Sequence, residues 1–364
     1  GAGTTDAQHV AVEFVHPVIV GKRSLPALSL ASDAATMLGT AARLGFDEVF
    51  AHQVHVLSRP QDIALGLSDD ENVRRGLATA RAAGLLTLSL GPGGSADDVD
   101  HRITVSSLDP RICKEAYVTA YHVLWELVHV FLDSPGAPAG EGGVEGLYPF
   151  LYGKGSDPDQ TLAATAESIR QKLAEILELR AAVGREQASA VADCARETAD
   201  RFRSDATLLA FGNGGSSTDA QDVVQTFMNP EPPAPALPAL GLTNDVAVLT
   251  ALSNDVSFDV VFARQLAAFG RPGDVAIALS TSGGSRNVLA GLDAAKRLGM
   301  LTIGLAGYGG GRMAESSAVD HLFAVPSSSV HRVQEVQTTV THVLWEAITH
   351  ELSAELPPPP PAPG

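Results

Sequence analysis

Ser280 to Ser285, STSGGS, is the stretch of this sequence best suited to chemistry. It joins an apolar run, DVAIALS, to a segment with helical spacing, RNVLAGLDAAKRLG. A loop at such a junction aims backbone N–H groups and the positive end of a helix dipole at one point. The hydroxyls of Ser280, Thr281, Ser282 and Ser285 add donors, and Gly283 and Gly284 let the chain close around an anion. No P-loop lysine accompanies the loop, so a sugar phosphate suits it better than a nucleoside triphosphate. The competing reading is an ordinary helix cap with a flexible turn.

The elements that must position this loop are legible around it. ATLLAF, DVAIALS, MLTIGLAG and HLFAVP read as short buried strands, separated by helical segments and by the glycine loops GNGGSSTDAQ and YGGGRMAESSAVD. Apolar strands alternating with helices imply a parallel sheet covered on both faces. Ligands of such sheets bind beyond the carboxyl ends of the strands, where these loops fall.

Much of this pattern occurs twice. HVLWE spans His122 to Glu126 and recurs at His342 to Glu346, and each copy holds one of the two tryptophans. TDAQ, LPAL and VDH also recur, FDEVFAHQ parallels FDVVFARQ, and DIALGLS parallels DVAIALS, all in the same order. A colinear set of this kind indicates a tandem duplication. The expected organisation is a degenerate first domain (1–132), a Gly/Pro-rich linker (133–159), a well-preserved second domain opening with helices (160–354) and a Pro-rich tail (355–364).

A chain of 364 residues with 45% hydrophobic and 18% charged residues is globular and long enough for two domains. A formal charge of −17 argues against binding nucleic acid, yet leaves room for a focused anion site. Cys113 and Cys194 form neither a disulfide framework nor a metal knuckle. With no leader and no membrane-spanning apolar run, the expected location is cytoplasmic.

FGNGGSSTDAQ, LTND, SNDVSFDVVFARQ, GDVAIALSTSGGSRNV, GMLTIGLAGYGGG and RVQEVQTTVTHVLWE closely resemble the SIS (sugar isomerase) family, and within it the phosphoheptose isomerases. The first half resembles the same family more weakly. The resemblance implies an α/β fold of two tandem SIS-type domains, each a parallel sheet flanked by helices on both faces. It implies aldose–ketose isomerisation of sedoheptulose 7-phosphate at a zinc site. It places substrate against Asn213, Gly214, Gly215 and Ser216, against Asn254 and Asp255, and against the phosphate loop with Ser280, Thr281, Ser282 and Ser285. Gln334 and His342 match two zinc ligands, the histidine also serving as an acid–base group.

The family's other two ligands are a His and a Glu one helical turn apart. The second half holds Asp222 and Thr226 there, whereas the first half keeps His9 and Glu13 at i and i+4 on one helical face. Conversely, the first half replaces the phosphate loop by LSDDENV, whose Asp69, Asp70 and Glu71 would repel a phosphate, and it replaces the glutamine by Lys114. The losses are complementary. The expectation is therefore a composite site with metal ligands His9, Glu13, Gln334 and His342, Glu13 as base, His342 as acid–base partner and a small sugar phosphate as substrate. The alternative is a non-catalytic sugar-phosphate-binding regulator or scaffold. Two tandem chains are expected to self-associate.

Overall fold

Alternating apolar and small residues sort the strands of the second half into two helix-covered faces. In the computed structural model, which describes residues 3–18, 22–91, 99–132 and 158–353, the chain divides into two compact units, Gly1–Leu173 and Ala174–Gly364. The expected tail, and all of the expected linker but its last two residues, lie outside the described residues.

The first unit runs α1 (Gly3–Val15), α2 (Ala34–Leu44), α3 (Val49–Leu57), β1 (Ile63–Gly66), α4 (Glu71–Ala82), β2 (Leu86–Leu90), β3 (His101–Ile103) and α5 (Pro110–Leu132). Its strands pair in parallel in the order β1-β2-β3, with Ile63 opposite Leu86 and Leu88 opposite His101. One face meets α1 and α5 through Leu65, Leu90, Val10, Tyr117 and Tyr121. The other meets α3 and α4 through Ala64, Val54 and Ala80. The long helix α6 (Pro158–Arg203) begins in this unit, where the nearly buried Lys172 ammonium lies 2.6 Å from Glu126 of α5.

The second unit continues with β4 (Leu208–Gly212), α7 (Gly215–Met228), β5 (Ala239–Gly241), α8 (Val246–Asp255), α9 (Val261–Phe269), β6 (Val275–Ser280), α10 (Arg286–Arg297), β7 (Leu301–Ala306), β8 (His321–Ala324) and α11 (Val330–Ser353). All five strands are parallel, in the order β5-β4-β6-β7-β8. In β6, Val275, Ile277 and Leu279 join the core shared with α6, α7 and α11, while Ala276 and Ala278 face the core of α9 and α10. That is the two-residue period of a strand buried on both sides. The strands read from ATLLAF, DVAIALS, MLTIGLAG and HLFAVP all form.

The repeated motifs land on matching elements and make matching bonds. Gln53 of α3 donates to the carbonyls of Leu30 and Val49, and Gln265 of α9 donates to those of Leu242 and Val261. The aspartate of each VDH accepts from a threonine on the neighbouring strand. Thr87 reaches Asp100 at 2.8 Å and Thr302 reaches Asp320 at 2.9 Å. Both HVLWE copies lie in the helix that follows the last strand of their unit, and Trp125 and Trp345 are buried there.

Candidate functional site

Two loops meet at the carboxyl end of β6. Ser280 ends the strand, Ser285 precedes α10, and their hydroxyls lie 3.1 Å apart. Within the loop, the Gly283 N–H donates to the Ser280 carbonyl at 2.9 Å and the Gly284 N–H to Ser282 Oγ at 3.2 Å. Ser285 makes no side-chain cap on α10, so the helix start is not closed by its own serine. A helix N-terminus in that state attracts negative charge.

The second loop, Gly307–Met313, clamps the first. Gly307 N–H donates to the Thr281 carbonyl at 2.9 Å, and Met313 N–H to the Gly283 carbonyl at 3.0 Å. The approach requires glycine on both sides. A Cβ on Gly283 (φ +62°) would fall 2.1 Å from the Gly310 oxygen, and one on Gly311 (φ +53°) would fall 2.2 Å from the Ser282 oxygen. Sequence reading placed a glycine loop here and assigned it no role. The glycines of Gly307–Gly311, just after a strand, were the available signal.

Asn213, Gly214, Gly215 and Ser216 form the strand-to-helix turn after β4, with Gly214 at φ +56°. The Asn213 carboxamide exchanges two 2.8 Å hydrogen bonds with Asn287 of α10, tying this turn to the anion loop. Asn287 also accepts from the Val288 N–H, and sequence reading did not single it out. Asn254 and Asp255 stand exposed at the end of α8, where Asn254 donates to Asp255 at 2.8 Å.

Gln334 and His342 lie buried on α11, two helical turns apart. His342 Nε2 is 4.0 Å from a carboxylate oxygen of Asp222 on α7, the residue standing where the family pattern has a histidine. In the first unit, His9 and Glu13 are 1% and 2% exposed, so the pair faces the interior rather than solvent. His9 Nε2 is 3.8 Å from Glu13 Oε1, the His9 and His122 rings meet edge-on at 5.3 Å, and Trp125 donates to the Glu13 carbonyl at 2.8 Å. Lys114 is paired with Asp6 and Thr5, at 3.1 Å each.

The loop of the first unit is spoiled for phosphate in a specific way. The Asp69 carboxylate sits over Gly91, where a Cβ would be 2.6 Å from its oxygen, and 3.5 Å from Arg102. Asn72 keeps the place of Asn287, but its buried Oδ1 finds no hydrogen-bond partner among the described residues.

The implied zinc can be tested against these donors. His9 and Glu13 are of the right type and adjacent, so they fit. Lys114 puts an ammonium where the family pattern has a neutral glutamine, so a four-ligand set of the family's kind does not close within the first unit. Thr226 has the same effect in the second. Among the described residues, no group of three or more His, Cys, Asp or Glu side chains is arranged to hold a metal ion.

A parallel sheet covered on both faces, with a Ser/Gly loop clamped by a glycine loop at its carboxyl end, defines the second unit as an α/β domain. SIS domain sequences match residues 173–307. The phosphoheptose isomerase of Desulfovibrio desulfuricans is 44% identical over 169 residues, which are 46% of this chain and 79% of that protein. The phosphoheptose isomerase of Roseiflexus sp. is 42% identical over 170 residues, covering 46% and 85%. The chain belongs to the SIS family. The C-terminal domain of glucosamine-fructose-6-phosphate aminotransferase from Francisella tularensis aligns with 97% of this chain and 82% of its own, at a TM-score of 0.58 and 10% identity. That likeness concerns the fold alone and extends it over both units. No described helix is long and apolar enough to cross a membrane.

Proposed function

We propose that the protein interconverts sedoheptulose 7-phosphate and an aldoheptose 7-phosphate, and that the chain arose by duplication of a SIS domain. The observation that carries this reading is the loop Ser280–Ser285, clamped by Gly307–Met313 in a domain that is 42–44% identical to phosphoheptose isomerases. The loop N–H groups and hydroxyls bind the phosphoryl group and fix the sugar's register. Gly214, Gly215 and Ser216 line the neighbouring turn with Asn213, and Asn254 and Asp255 meet sugar hydroxyls.

Glu13 carries the base role. Its carboxylate takes the proton from the carbon beside the carbonyl and returns it to the adjacent carbon. His342 moves the proton between the two oxygens. Among the described residues, neither unit by itself holds the family's four-ligand set, and no step of this reading is routed through zinc.

The direct experiment incubates the full chain with sedoheptulose 7-phosphate, with and without zinc, and assays aldose product. Glu13→Gln should abolish turnover while sugar-phosphate binding persists. Binding without any product from the unaltered chain would instead establish the second reading, a sugar-phosphate-binding regulator or scaffold. Asp222 and Thr226 in the places of the family's His and Glu favour that alternative.

A further inference from the structure

Tyr308 is the one non-glycine in a run of four left-handed residues. Its φ is +52°, and Gly309, Gly310 and Gly311 follow at +72°, +96° and +53°. Among the described residues, the other non-glycines at positive φ, Gln61 and Asp205, are polar residues of ordinary turns. A bulky aromatic there is a genuine outlier, strained relative to glycine. Such strain concentrates where a side chain has work to do.

The loop fixes where the backbone of that residue stands. Gly307 on one side bonds the Thr281 carbonyl, and Gly310 and Gly311 on the other touch Gly283 and Ser282. Tyr308 is thus stapled at both flanks to the anion loop, with its Cα about 3.8 Å from that of Gly307. Its backbone N–H is spent on the Ser327 carbonyl at 3.1 Å. The side chain itself is half exposed, and its hydroxyl makes no hydrogen bond among the described residues. An exposed phenol with a free donor, held beside an anion loop at conformational cost, has the properties of a ligand contact.

We infer that Tyr308 is a specificity-determining residue of the second unit, its hydroxyl donating to a sugar hydroxyl of a phosphate-anchored ligand. The inference rests on the anion-loop reading of the preceding section. It concerns the sugar rather than the phosphoryl group, because the loop N–H groups already serve the phosphoryl. The role requires no turnover and is read by binding.

The test measures the affinity of the full chain for sedoheptulose 7-phosphate and for inorganic phosphate, each by calorimetry. Tyr308→Phe removes only the hydroxyl and should weaken the sugar phosphate by about fivefold, the loss of one hydrogen bond. Tyr308→Gly should weaken it at least as much while leaving the melting temperature unchanged or higher, since the strain is gone. Inorganic phosphate should bind both variants as it binds the parent. Unchanged sugar-phosphate affinity in both variants overturns the inference, and so does an equal loss for both ligands, which would mark a loop-shaping role. If the parent chain binds neither probe, the anion-loop reading itself fails and takes the inference with it.

Discussion

Glu13 illustrates how much one carboxylate can be asked to do. It is buried beside His9, with its backbone carbonyl fixed by Trp125. Truncating a residue so enclosed tests packing as well as chemistry, so the isosteric Glu13→Gln is the cleaner change. As the proposed base it should lower kcat by about 10²- to 10⁴-fold with little change in melting temperature, read from aldose formation and calorimetry. Gly283 makes the opposite kind of demand, for the absence of atoms. Gly283→Ala adds a Cβ at 2.1 Å from the Gly310 oxygen in a left-handed residue. Conformation alone costs about 1–2 kcal/mol before the overlap is relieved, so the variant should melt lower and lose phosphate binding together.

At the scale of elements, α10 is tied to the turn after β4 by the reciprocal pair Asn213–Asn287. Asn287→Ala removes both bonds and leaves the Asn213 amide without them. A loss of about 1–3 kcal/mol in denaturant unfolding is expected, with weaker phosphate binding because the loop loses its tether. The strand connection β7–β8 depends on Asp320, which accepts from the Thr302 N–H and hydroxyl and pairs with Lys296. Partial burial raises its pKa, but the hydrogen bonds from Lys296 and Thr302 outweigh burial and hold it below the ordinary 3.8. A folded pKa below the unfolded one means the carboxylate contributes stability above about pH 4, and that contribution is lost as pH falls toward the folded value. Asp320→Asn should therefore lower the melting temperature at neutral pH. The gap to the parent chain should narrow in melts taken from pH 6 down to pH 3.

For the whole molecule, the prediction concerns assembly. The proposal that two tandem chains associate gives an expected light-scattering mass near twice the 37.7 kDa chain. A mass equal to one chain at micromolar concentration would remove that proposal. The formal charge of −17 adds a second check on partners, since duplex DNA should show no retardation by the protein at physiological salt.

The sequence by itself determined the strands of the second unit, because residues buried on both faces must be apolar without interruption, as in DVAIALS and LTIGLA. It also placed the loop Ser280–Ser285 between a strand and a helix, where β6 and α10 hold it, since glycines and hydroxyls interrupt both the apolar run and the helical spacing. The correspondence of the units was visible as well, through HVLWE and the VDH aspartates. Three things were decided only by tertiary structure, because each depends on chain segments distant in sequence. One is the clamp of Gly307–Met313 on Ser280–Ser285, which exists because β6 and β7 are neighbours in the sheet. Another is the Asn213–Asn287 pair, whose partners are brought together by β4 lying beside β6. The last is the burial of His9 and Glu13. A helical face shows which residues lie side by side, but only α5, with Tyr121, His122 and Trp125 against α1, takes that face out of water.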